Sequence, residues 1–173
     1  MRIVKNGDVH VSAPYGMSRE EVESFINQHL EWIEQARKRN TDRLKKRSDF
    51  YNQLPLNNRE EKEDAVKQLK ALIEPILERY SVIMGVKPES VFYKPMISRW
   101  GVCRFKDHNI CFSIYLLLLP DWCIEHVVVH ELCHLIVPSH NVRFHALMDK
   151  YYPRWREARK ETGRIILTIG YQR

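Results

Sequence analysis

Val127-Val128-Val129-His130-Glu131-Leu132-Cys133-His134-Leu135 is the stretch from which the rest of the chain is read. Its apolar residues predict a helix from about Trp122 to Ile136. Residues four apart on a helix share a face, so His130 and His134 can bind one metal ion. Glu131 is turned about 100° from His130 and about 60° from His134. It reaches the same side without being a ligand, and from there it can take a proton from metal-bound water.

A catalytic zinc usually takes three protein ligands and keeps one position open. His140 is the best candidate for the third. Pro138 disfavours helix at Val137, so the helix must end there and the chain can turn back toward the metal. The spacing His130-x3-His134-x5-His140 also matches that of metzincins, but those carry glycine where Val137 stands, and no Met-turn is evident. Met148 lies inside a further predicted helix. Asp149 and Glu157 are the acidic alternatives for the third position and rank below His140. Of the other histidines, His126 reads as a cleft residue beside His130, His145 as structural, and His108 as part of a turn. His10 falls in a hairpin and has no assigned role. Cys133 reads as a small buried hydrophobe.

Upstream, Val91–Tyr93, Ile97–Cys103 and Ile110–Leu117 read as strands, with a turn at Lys106-Asp107-His108-Asn109. A helix is expected from about Arg59 to Met84, striped by Val66, Leu69, Leu72, Ile73, Ile76, Leu77, Tyr80 and Ile83. Pro75 should kink or split it, and Gly85 should stop it. Asn52 to Asn58 is expected to be a loop. Nearer the start, Asn6-Gly7-Asp8 between apolar runs predicts a hairpin. Ser18 with Glu21 forms a capping box for a helix expected to reach about Lys38. The basic run Arg37–Arg47, with Asp42 its one acid, is taken as a solvated helix end or linker.

The chain has 173 residues and is expected to form a single domain over 1–173. Residues 1–58 would hold the hairpin, helix and basic loop, and 59–173 the helix, sheet and metal-site helices. Apolar residues make up 44%, enough for a core without staples. The net charge of +6 permits contact with nucleic acid but argues only weakly for it. No apolar run approaches the length of a spanning helix, and no signal sequence is visible. Cys103, Cys111, Cys123 and Cys133 include no C-x-x-C pair and are read as reduced and cytoplasmic, with a Cys103–Cys111 bridge across a hairpin as the alternative. No phosphate-cradling glycine loop occurs.

The stretches Arg99-Trp100-Gly101-Val102-Cys103, Asn109-Ile110-Cys111-Phe112 and Val127 to Leu135, with His140, Phe144 and Tyr151-Tyr152-Pro153-Arg154-Trp155, together resemble the YgjP-like metallopeptidase-domain family. Val9-His10-Val11-Ser12-Ala13-Pro14 fits as well, so the resemblance covers nearly the whole chain. Such proteins are similar to SprT-like and WLM metallopeptidases. The resemblance implies an α+β, zincin-like fold: a small antiparallel or mixed sheet bordering a cleft, an active-site helix and flanking helices. It implies zinc on His130, His134 and His140, with Glu131 as catalytic base and a peptide or protein as substrate. Arg99, His126 or Tyr115 would be available to steady an oxyanion. Some members are labelled UTP pyrophosphatases, and nucleotide hydrolysis at the same site is therefore the alternative.

Overall fold

The computed structural model describes residues 1–4 and 6–168. By its contacts the chain divides into two compact units, Met1–Phe50 and Tyr51–Thr168.

The first unit opens with the expected hairpin. Strands β1 (Arg2–Ile3) and β2 (Val9–His10) pair antiparallel, Arg2 opposite His10 and Ile3 opposite Val9. Gly7 takes φ 90°, a conformation glycine adopts freely, and its N–H donates to the Val4 carbonyl at 3.0 Å. Helix α1 (Arg19–Gln28) starts on the Ser18–Glu21 capping box. It does not reach Lys38. His29 leaves the helical region at φ −115°, ψ 16°, and its Nδ1 lies 2.7 Å from the Phe25 carbonyl, a group the backbone would otherwise bond. A second helix, α2 (Leu30–Tyr51), follows at once, so the basic run is helix and not linker. Arg37 Nε donates to the Gly7 carbonyl at 3.0 Å and ties α2 to the hairpin.

In the second unit, residues 52–58 form the expected loop. Helix α3 (Arg59–Met84) is capped by Asn58, whose side chain accepts from the Glu61 N–H, and ends at Gly85 with φ 66°. It runs through Pro75 without splitting. The proline removes one backbone bond, and the buried stripe Leu69, Ile73, Leu77, Tyr80 and Met84 anchors both halves to the core.

The sheet is mixed, as expected, in the order β3 (Ser90–Lys94), β5 (Asn109–Ser113), β4 (Gly101–Arg104). β3 runs parallel to β5 and β4 antiparallel to it. Two strands are shorter than the pattern suggested. Residues 97–100 stay out of the ladder, where the Ile97 carbonyl accepts from Tyr51 Oη at 2.9 Å and the Met96 carbonyl from Ser113 Oγ at 2.7 Å. β5 gives way to a 3₁₀ turn over Ile114–Leu118, which buries Ile114 and Leu116. Phe105–Asp107 forms another 3₁₀ turn, and His108 follows it at φ 50°.

Helix α4 (Asp121–His134) is buried around most of its circumference, through Ile124, Val127, Val128, Val129, Leu132 and Cys133 among others. That is the signature of a central helix. It packs on α3, β4, α5 (Val142–Tyr151) and α6 (Trp155–Thr168). All four cysteines are free. Cys103 stands opposite Ile110 and Cys111 opposite Val102, so the two point to opposite faces of the sheet and the alternative bridge does not form. No helix among the described residues is long and apolar enough to cross a membrane.

Candidate metal centre

His130 and His134 stand one turn apart near the end of α4. The last turn tightens beyond His134, with the Leu135 N–H donating to the Leu132 carbonyl and the Ile136 N–H to the Cys133 carbonyl. Pro138 and Ser139 then carry the chain back. Asn141 caps α5 by accepting from the Phe144 N–H at 3.1 Å, which fixes the backbone next to His140.

The result is a convergence of three imidazoles. His140 Nε2 lies 3.0 Å from His130 Nε2 and 3.1 Å from His134 Nε2. The three rings form a group able to hold a metal ion, with one ligand atom each within 4.8 Å of the others. Phe144, 1% exposed, packs its ring against all three at centroid distances of 4.9, 4.6 and 4.7 Å.

The protonation of these rings tests whether a cation fits. His134 Nδ1 sits 3.1 Å from the Val137 carbonyl, so that nitrogen carries the proton and Nε2 presents its lone pair. Burial, then the neighbouring histidines, pushes His130 down to about 3, so it is neutral near pH 7. With His140 Nε2 about 3 Å from each of the other two, the three nitrogens cannot all be satisfied by the protons they share. Zinc–nitrogen bonds of about 2.05 Å at tetrahedral angles would set the nitrogens roughly 3.3 Å apart. The donor set fits such an ion.

Glu131 is 5% exposed and points toward β4. Burial pushes its carboxyl up to about 8, against a backbone hydrogen bond from Cys103 and the charge of Arg99, both of which favour ionisation. A Cβ on Gly101 would overlap the Glu131 side chain, so the strand passes this carboxyl at a distance only glycine allows. Sequence reasoning assigned Gly101 no role. The available signal was an isolated glycine inside a strand pattern, which marks close backbone approach.

The remaining candidates lie elsewhere. His126 is 8% exposed, with its ring 5.9 Å from that of His130 and 6.1 Å from that of Tyr152. Its Nδ1 has no hydrogen-bond partner among the described residues, and burial pushes the ring down to about 4. His145 stacks on Trp155 at 5.2 Å. His108 sits in its turn and His10 in β2. Asp149 accepts from Trp155 Nε1 and pairs with Arg156, while Glu157 pairs with Arg154. Neither acid belongs to the histidine group. Tyr115 packs edge-on against Tyr51 at 4.7 Å.

An α+β protein with a small mixed sheet, whose H-E-x-x-H helix and following turn gather three histidines, falls among metal-dependent hydrolases of the zincin-like kind. The chain matches the YgjP-like, metallopeptidase domain model over residues 1–62 and 51–164, and it belongs to that family. No curated protein matches it, and no solved structure does.

Proposed function

We propose that the chain is a zinc-dependent peptidase with His130, His134 and His140 as ligands and Glu131 as general base. The convergence of the three Nε2 atoms, with a carboxyl on the neighbouring residue of the same helix, carries this reading. When bound, zinc supplies Lewis acidity that makes water more acidic and polarises a carbonyl. Glu131 accepts the proton of the attacking water and returns it to the leaving amine. Arg99 and the Cys103 N–H favour the ionised carboxylate and offset part of the burial that pushes the group up. The Val137 carbonyl holds His134 in the tautomer that presents Nε2, the usual task of a group behind a ligating histidine.

A peptide is favoured over a nucleotide by β4. Among the described residues it pairs only with β5 and stands at the sheet edge beside Glu131, so an extended peptide can add to it as a strand. Free thiols throughout support a cytoplasmic setting.

Metal content by mass spectrometry and cleavage of a peptide library test the reading together. Wild type should hold about one zinc per chain, and His140→Ala should lose most of it. Glu131→Gln should keep the zinc and lose roughly 10²- to 10⁴-fold in turnover. Zinc-loaded wild type that leaves all peptides intact but releases pyrophosphate from UTP would replace the peptidase with the nucleotide hydrolase. Full activity in Glu131→Gln would remove the assigned base.

A further inference from the structure

The first unit holds none of the histidine cluster, yet it carries the densest run of positive charge in the chain. Within Arg37–Arg47, seven cations accompany a single acid, Asp42, and all of them lie on α2. Where α2 meets β1 there is a groove of about 480 Å³. Its helical wall is formed by Trp32, Ala36, Arg39 and Arg43, spaced so that they share one face. Arg2 and Ile3 form the opposite wall.

Three features separate this groove from an ordinary solvated helix face. Trp32 remains 40% exposed at its wall, an apolar ring left facing water. Arg2, Arg39 and Arg43 line the groove with that ring, and among the described residues no carboxylate does. Arg43 donates to Asn40 Oδ1 at 3.0 Å, which holds its guanidinium in place without neutralising it. A flat ring flanked by unneutralised guanidinium groups complements a ligand that is both flat and anionic.

We infer that this groove binds single-stranded nucleic acid, with a base stacked on Trp32 and phosphates paired to Arg39, Arg43 and Arg2. Stacking on an exposed aromatic in a cationic groove is the usual mode of sequence-tolerant single-strand binding. Arg39 and Arg43 stand about 6 Å apart along the helix axis, close to the spacing of successive phosphates in an extended strand. Guanidinium forks bond phosphate oxygens in pairs. A bilayer surface is too flat to enter a concave groove, and an acidic peptide would leave the Trp32 ring without a flat partner. The inference does not depend on what the histidine cluster hydrolyses.

Fluorescence anisotropy on the full chain tests it, with labelled single-stranded DNA and RNA of about 15 nucleotides and mixed sequence. Three phosphate contacts predict binding that weakens by roughly 20-fold between about 50 mM and about 200 mM salt. The double variant Arg39→Glu with Arg43→Glu should weaken binding at least tenfold and reduce the salt slope by about 1.4. Trp32→Ala should weaken it by roughly 5- to 150-fold at each salt concentration and leave the slope unchanged. Trp32→Phe keeps a ring and decides the point if the alanine variant does not fold. Unchanged metal content and melting temperature confirm that the arginine variant is folded. The inference is overturned if wild type does not bind at the lower salt, or if the variants bind as tightly as wild type. It is equally overturned if the same substitutions abolish a stronger binding to phosphatidylglycerol vesicles or to polyglutamate.

Discussion

Gly101 and Glu131 share a space that admits only one side chain. A Cβ on Gly101 would lie 2.5 Å from Glu131 Oε1, 2.7 Å from Cγ and 2.8 Å from Cδ. Gly101 is not among the glycines with positive φ, so space and not backbone conformation demands the missing side chain. Glu131 is buried and has little room to retreat. Gly101→Ala should therefore displace the carboxyl. The expected result is zinc content near wild type, a stability loss of about 1–3 kcal/mol and a fall in turnover approaching that of Glu131→Gln. Steady-state kinetics beside metal analysis checks it, and unchanged turnover would show that the carboxyl is not held where β4 puts it.

The histidine cluster is legible in the sequence because its members are local. His130 and His134 are fixed by helical repeat, and Pro138 forces the turn that returns His140. The Gly101–Glu131 contact joins residues thirty apart, and no periodicity connects them. The break at His29 is hidden for a different reason: Val22, Phe25, Ile26, Leu30 and Ile33 keep helical spacing across it, while the break is made by one side chain bonding the Phe25 carbonyl. The run Ile114–Leu118 is uniformly apolar, and such a run does not distinguish strand from 3₁₀ turn. Residues 97–100 lie outside the strand ladder, and there the distant Tyr51 hydroxyl, not a neighbouring strand, donates to the Ile97 carbonyl.

Phe144 supports the histidine cluster from beneath, in contact with all three rings. Phe144→Ala should cost about 3–5 kcal/mol from the cavity alone. It should also weaken zinc binding, because the three imidazoles lose their common backing. Phe144→Leu keeps most of the volume and should retain more of both. Chelator competition on the three proteins, at matched temperature below their melting points, orders the affinities. Equal affinities would mean that Phe144 serves the core and not the site.

Asn141 links helix capping to the histidine cluster. Its side chain caps α5 one residue after His140. Asn141→Ala should destabilise the chain by about 1 kcal/mol. A ligand that binds only the folded state stabilises by mass action. Zinc should therefore raise the melting temperature of this variant less than that of wild type at equal concentration, because the loosened turn presents His140 less often. Asn141→Asp keeps an acceptor at the cap and should restore most of the difference.

Tyrosines set an alkaline limit on stability. Burial pushes Tyr80, Tyr93 and Tyr152 up to about 12, aided at Tyr80 by a hydrogen bond to Glu125, and by the charges of Glu74 at Tyr93 and Glu125 at Tyr152. Tyr80 Oη donates to Glu125 Oε1, and Tyr152 Oη to the Trp122 carbonyl, both at 2.7 Å. Ionisation removes the donated proton in each case. In the unfolded chain these hydroxyls lose their protons near pH 10. Between that point and about 12 the folded chain binds more protons than the unfolded one, so stability falls as pH rises. Below that window, the protonated tyrosines are common to both states and contribute no slope. Urea midpoints should thus fall steadily once the pH passes about 10. Tyr80→Phe should start lower, having lost its bond to Glu125, and should then fall less steeply over the same window. Parallel curves for wild type and variant would show that Tyr80 ionises alike in the folded and unfolded chains.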